Sequence, residues 1–255
     1  MKTLRLILPL LLATPPAWSA DPATLETRHE LEAGLVHEHL SNHLADWNSQ
    51  YLVGVRKQED GKVIYAGWRA TDRFSEKDQE VHVGLSLPAT PSFRLQMEGG
   101  TSAPHDVLPK HYGELGGQYQ LGSGWVAEGA WRTSRYTQGS TRTLRLGLDY
   151  YVGNERLGYT LFRGGPSGSG FESSHRLLWS HYYGDRSWIG LSHTRGRETE
   201  SLGNAGFLTS RVSGSSIAGQ HEWTPAWALV WDVGTFDQGD AYTRKGVRLG
   251  IRHFF

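Results

Sequence analysis

Apolar and polar residues alternate along the chain from Arg28 to Phe255, in segments of about ten residues separated by turn-forming residues. A period of two predicts strands whose two faces meet unlike surroundings. The sequence divides into fourteen such segments, with twelve as the alternative count. The predicted outward sets begin with Leu31, Ala33 and Leu35; Tyr51, Val53 and Val55; Ile64, Ala66 and Trp68; Val81, Val83 and Leu85; and Phe93, Leu95 and Met97. They continue with Leu115, Gly117, Tyr119 and Leu121; Trp125, Ala127, Gly129 and Trp131; Leu144, Leu146, Leu148 and Tyr150; Leu157, Tyr159 and Leu161; and Leu177, Trp179, His181 and Tyr183. The last four are Ile189, Leu191 and His193; Ile217, Gly219, His221 and Trp223; Leu229, Trp231 and Val233; and Val247, Leu249, Ile251, His253 and Phe255. The phase is ambiguous around Leu157 and Ile189.

The opposite faces are polar. Residues predicted to line an interior are Glu32, Arg56, Arg69, Arg94, Glu98, Glu114, Glu128, Arg132, Arg145, Asp149, Arg176, Glu222, Asp232, Arg248 and Arg252. Apolar outside and charged inside is the pattern of a membrane-spanning β-barrel; a soluble sandwich would reverse it. Mixed signs on neighbouring strands predict paired charges that brace the wall, or a hydrated path in which Arg donates hydrogen bonds and Tyr65 and Tyr182 offer stacking faces.

The connections support the barrel, because an outer-membrane barrel keeps short turns on the periplasmic side and longer loops outside. Short candidates at 58–62, 88–91, 122–124, 153–156, 184–186 and 224–226 alternate with longer ones at 38–46, 71–79, 100–111, 136–141, 164–174, 196–209 and 237–243. Phe93, Trp125, Tyr183, Trp188, Trp223, Trp227 and Phe255 flank the short turns or the chain end, where a periplasmic aromatic girdle is expected.

Composition narrows the classes. Lys plus Arg equals Asp plus Glu at 26 each, which leaves no basic field for nucleic acid, and nucleic acid is not an expected partner. There is no cysteine, hence no disulfide framework. Residues 1–20 have a secretory layout: Lys2 and Arg5, an apolar run from Ile7 to Ala13, Pro15 and Pro16, then A-W-S-A. A signal peptide is expected there, cut after Ser19 or after Ala20. Residues 21–27 would be a short periplasmic segment and 28–255 the barrel, in the outer membrane of a Gram-negative envelope.

Three further motifs bear on chemistry. His37, His39 and His43 form H-x-H-x3-H beside Glu38 and Asp46, a possible divalent-metal set that reads more simply as polar rim. His39-Leu40-Ser41 matches an H-x-S pair of base and nucleophile, the basis of an alternative lipid-hydrolase reading. In Ser180-His181 and Ser192-His193 the two side chains fall on opposite faces. Gly164 to Gly170 lacks the Lys-Ser/Thr of a phosphate loop.

Y-L-V-G-V-R at Tyr51 to Arg56, Y-A-G-W-R at Tyr65 to Arg69 and the terminal G-V-R-L-G-I-R-H-F-F resemble the YaiO-like family of outer-membrane β-barrel proteins. The resemblance implies a barrel with no assigned catalytic residue and no cofactor. It also implies an association with exopolysaccharide synthesis and export, so the expected role is a pore or scaffold for a polar polymer. A purely structural barrel is the remaining alternative. Resemblance to outer-membrane proteins further implies that Ile251, His253 and Phe255 form the assembly signal read by the barrel assembly machinery, with membrane lipid as the surrounding partner.

Overall fold

The computed structural model describes residues 27–73, 75–201 and 206–255; the expected signal peptide and residues 21–26 lie outside them. Fourteen antiparallel strands follow in order: β1 (Arg28–Leu40), β2 (Trp47–Lys57), β3 (Val63–Arg73), β4 (Glu76–Pro88), β5 (Phe93–Ala103), β6 (His111–Gly122), β7 (Trp125–Arg135), β8 (Ser140–Val152), β9 (Glu155–Pro166), β10 (Glu172–Tyr183), β11 (Ser187–Ser201), β12 (Phe207–Thr224), β13 (Trp227–Gln238) and β14 (Thr243–Phe254). Each pairs with its neighbours in sequence, and β14 closes on β1, so the sheet is a barrel without free edges. Closure satisfies every ladder position, the condition for crossing lipid with strands.

The closing register sets Leu31 opposite His253, Glu32 opposite Arg252 and Leu35 opposite Leu249. Along each strand the outward residue is exposed and apolar, as at Leu115, Leu146, Leu177 and Leu249. Leu157 and Ile189, whose phase the pattern left open, both take the outward face: Leu157 is exposed and Ile189 pairs with outward Gly219 and His181.

β2 is the exception. Tyr51 and Val53 are buried and point inward, while Leu52 is exposed on the lipid side. Arg56 shares that outer face, paired with exposed Ile64, and is not a lumen residue. The run Tyr51 to Val55 is apolar at four of its five positions, so alternation carried no phase information there. Shape and a hydrogen bond decide it. Tyr51 lies across Gly34, its ladder partner, and Gly250 beyond; a Cβ on either glycine would sit 2.5 or 2.6 Å from the Tyr51 hydroxyl. That hydroxyl donates to Glu32 at 2.7 Å.

The turns define the two ends. Ser123–Gly124, Gly153–Asn154 and Pro225–Ala226 are tight periplasmic connections, and Gly122, Gly124 and Gly153 take the positive φ these require. In the β2–β3 turn, Asp60 bonds the Lys62 side chain and backbone N–H, which holds its carboxyl below the ordinary range. The opposite end is less regular than expected. β3 and β4 run on until only residues 74–75 join them, and most of 196–209 continues β11 and β12. Strict alternation of short and long connections therefore fails at β3–β4.

Trp125, Tyr183, Trp223, Trp227 and Phe255 are exposed at the periplasmic end, with Trp125 against Tyr150 and Trp227 against His253 at centroid distances of 4.6 and 4.2 Å. Trp188 does not join this girdle. It pairs with Tyr182 and Gln220 on the inner face, because outward Ile189 fixes the phase of β11.

Candidate functional site: lumen wall and outer cap

The inward side chains assemble into three groups. At the periplasmic end of the β14–β1–β2 seam, Glu30 and Glu32 are 7% and 3% exposed. Arg252 meets both, with Nε donating to Glu32 at 2.9 Å and Nη1 lying 3.5 Å from Glu30, while the Lys57 ammonium reaches Glu30 at 2.5 Å. Two carboxylates this buried are tolerated only when paired and hydrogen-bonded.

Midway along β3 to β8 runs a ladder of tyrosines, carboxylates and guanidiniums. The Tyr65 and Tyr112 hydroxyls both donate to Glu98, at 2.6 and 2.9 Å. Arg132 lies 3.6 Å from Glu98 and from Glu114, with its guanidinium 3.7 Å from the Tyr112 ring centroid. Arg145 donates to Glu114 at 3.0 Å, and Arg69 to Glu80 at 3.2 Å. On the adjoining wall Arg156 pairs with Asp149 at 2.7 Å, and Arg176 faces the Phe162 ring. Glu98, Glu114 and Arg132 keep 27%, 22% and 19% of their side-chain surface open, so the ladder borders the lumen space.

The extracellular end is covered from inside. Asp78, 1% exposed at the start of β4, accepts backbone N–H bonds from Asp106, Val107 and Leu108 at 3.0, 2.7 and 2.5 Å. This carboxylate, with the Thr101 and Ser102 hydroxyls that donate to the Lys110 and Pro109 carbonyls at 2.7 Å, holds the β5–β6 loop inward and leaves Val107 and Leu108 buried. Beside it, Leu40, Trp47 and Tyr242 form an apolar cluster joined by Leu44, Leu208 and Ala241. Trp47 is enclosed by two guanidiniums, Arg73 at 4.6 Å and Arg244 at 5.1 Å, and Arg244 also pairs with Glu38.

Of the residues expected inside, all but Arg56 occupy the inner face, yet they form no single site. Glu32 and Arg252 belong to the seam, and Glu98, Glu114, Arg132, Arg145 and Arg69 to the ladder. Asp149 and Arg176 lie on the adjoining wall, where Glu128 packs against Gly147. Arg94 instead braces a periplasmic turn through the Gly61 carbonyl and Ser86, and Glu222 lies 3.9 Å from Arg186 of another turn. Asp232 and Arg248 are ladder partners on β13 and β14.

Sequence reasoning omitted Glu30, Glu38, Glu80, Tyr112 and Arg244, although each shares its strand's inward phase. It omitted Tyr51 and Lys57 because β2 was misphased, Arg156 because β9 was ambiguous, and Asp78 because it lay in a segment read as loop. His37 and His39 converge on Asp46, at 3.7 and 3.0 Å, outside the lumen. The Ser41 Oγ accepts the Thr243 N–H, while the His37 and His39 Nδ1 atoms bond Asn48 and Asp46 rather than Ser41. Ser192 and His193 bond separate partners, Ser216 and Ser215.

A comparison with curated protein sequences finds no match. Among solved structures, the CymD monoaromatic hydrocarbon channel is similar over 91% of this chain and 89% of its own, with TM-score 0.56 and 9% identity. The Acinetobacter baumannii outer membrane protein Omp33 is similar over 89% and 99%, with TM-score 0.54 and 10% identity. The KdgM porin is similar over 87% and 98%, with TM-score 0.51 and 10% identity. At such identities the likeness is one of fold, that of outer-membrane barrels. The model of the YaiO membrane beta barrel domain matches residues 28–201, from β1 through β11, leaving the terminal motif beyond the matched segment. The chain belongs to the YaiO membrane β-barrel family.

Proposed function

We propose that this outer-membrane barrel passes or handles a polar, hydroxyl-rich polymer, an exopolysaccharide being the class that fits best. The observation carrying this reading is the ladder from Tyr65 through Glu98, Tyr112, Arg132 and Glu114 to Arg145. Sugars offer hydroxyls that both donate and accept, and apolar ring faces. A wall alternating carboxylate, guanidinium and phenol matches those groups without committing to one charge. The KdgM porin, one of the structural neighbours, is also described in complex with disordered oligogalacturonate. The loop held by Asp78 would act as the outer gate.

Reconstitution in planar bilayers tests the proposal. Ion current interrupted by added oligosaccharides is expected, with shorter interruptions in Tyr112→Phe and a higher open fraction in Asp78→Ala. A barrel that conducts but ignores every glycan, or that neither conducts nor binds glycan, would overturn it.

A further inference from the structure

The outer wall carries a feature that the lumen reading does not use. From β8 to β14 the lipid-facing surface is concave, forming a groove of about 1230 Å³ lined by Leu148, Leu157, Leu177, Leu191, Ile217 and Val233. The inner face explains why. Between the charged inward residues of this half, the mid-height of β10 to β13 presents Ser180, Ser192, Gly214, Ser216, Ala218 and Gly234. Small residues there let the wall bend inward, and β9 and β11 approach each other across β10.

At its extracellular end the groove lining turns polar, at His193, Ser215, Thr235 and Lys245. Further out along the same strands, Arg163 on β9, Arg195 on β11 and Arg211 on β12 face outward and are exposed. These three and Lys245 have no ion-pair partner among the described residues. On the other half of the rim Lys77 meets Asp72 at 3.8 Å, both His37 and His39 turn to Asp46, and Arg135 donates to the Ser140 hydroxyl. Two carboxylates among the described residues stand near these cations: Asp237 accepts the Thr243 hydroxyl, and Glu172 pairs at 3.0 Å with Arg197, which lies beside Arg211. Unpaired cations at the headgroup level directly above an apolar groove match a ligand with phosphate above and acyl chains below.

We propose that the β8–β14 wall is a seat for a phosphorylated, multiply acylated lipid of the outer leaflet, its chains in the groove and its phosphates on Arg163, Arg195, Arg211 and Lys245. The site is independent of what passes through the lumen. Binding depends on both parts: the groove selects for several acyl chains, and the cations select for phosphate.

Native mass spectrometry of the full barrel in detergent tests this, using diphosphoryl lipid A, the same lipid dephosphorylated, and phosphatidylethanolamine as probes. One diphosphoryl lipid A per barrel should be retained, with at least tenfold less of the other two. The combined Arg163→Gln, Arg195→Gln, Arg211→Gln and Lys245→Gln variant, checked for folding by heat-modifiable gel migration, should lose that preference. Ile217→Trp, which fills the groove while keeping every cation, should also reduce retention. Equal retention of the dephosphorylated lipid, an unchanged preference in the charge variant, or occupation of the face by a second barrel irrespective of lipid would each overturn the proposal.

Discussion

The two halves of this wall obey the same alternation and differ in the side chains they turn inward at mid-height. Strands β3 to β7 send long charged and phenolic side chains inward, where Glu98 alone receives two tyrosine hydroxyls and faces Arg132. At mid-height, β11 to β14 instead set small inward residues side by side, Ser192 beside Ser216, Ser216 beside Gly234 and Gly234 beside Gly246, and the outer surface there is concave. Side-chain volume at mid-height on the inner face thus shapes the wall on both of its sides. Charge keeps one half spread around water, and smallness lets the other bend away from lipid.

Substitutions can break or sharpen that contrast, measured as urea unfolding of the refolded barrel followed by tryptophan fluorescence. The largest effect is expected at the seam joining the halves. Arg252→Ala leaves Glu30 and Glu32 buried without their shared cation and should cost about 3–5 kcal/mol. Within the charged half, Glu98→Ala leaves two phenols without their acceptor and Arg132 with Glu114 alone, for about 1–3 kcal/mol given its partial exposure. Within the small-residue half, Ser216→Leu should cost about 1–3 kcal/mol by overpacking and make the outer groove shallower. Were the halves equivalent, Ser216→Leu would be accommodated and Glu98→Ala would be no worse than other lumen changes. The smallest effect belongs to Arg56→Leu, within about 0.5 kcal/mol, because that residue faces outward at the periplasmic edge. A cost like that of Glu98→Ala would return Arg56 to the lumen.

Much of the architecture was legible because lipid imposes a period that sequence must obey. Leu115, Leu146, Leu177 and Leu249 announce the outer face, and the polar residues between them the inner one. Legibility failed where that constraint slackened. In Tyr51 to Val55 both faces accept apolar groups; the phase is set by the space over Gly34 and Gly250 and by the Tyr51–Glu32 hydrogen bond, contacts between residues at least seventeen positions apart. Asp78 was invisible for a related reason. Its partners are backbone N–H groups of a loop, which carry no side-chain signature. The ladder itself was half visible: its charges could be placed on the inner face, while its pairings depend on register between strands and on which long side chains lean towards each other. The outer groove was not legible, because concavity arises from several strands bending together.

Because the chain contains no cysteine, thiol labelling tests directly whether β3 to β8 wall a hydrated, charged lumen. Single-cysteine variants Gln96→Cys and Gln118→Cys, on the inner face, and Met97→Cys and Leu115→Cys, on the outer, would be treated in lipid vesicles with a neutral, membrane-impermeant thiol reagent. The account predicts that both inner cysteines react at rates within about tenfold of one in an exposed loop, while the two outer ones stay unmodified. Inner cysteines as unreactive as the outer pair would contradict it.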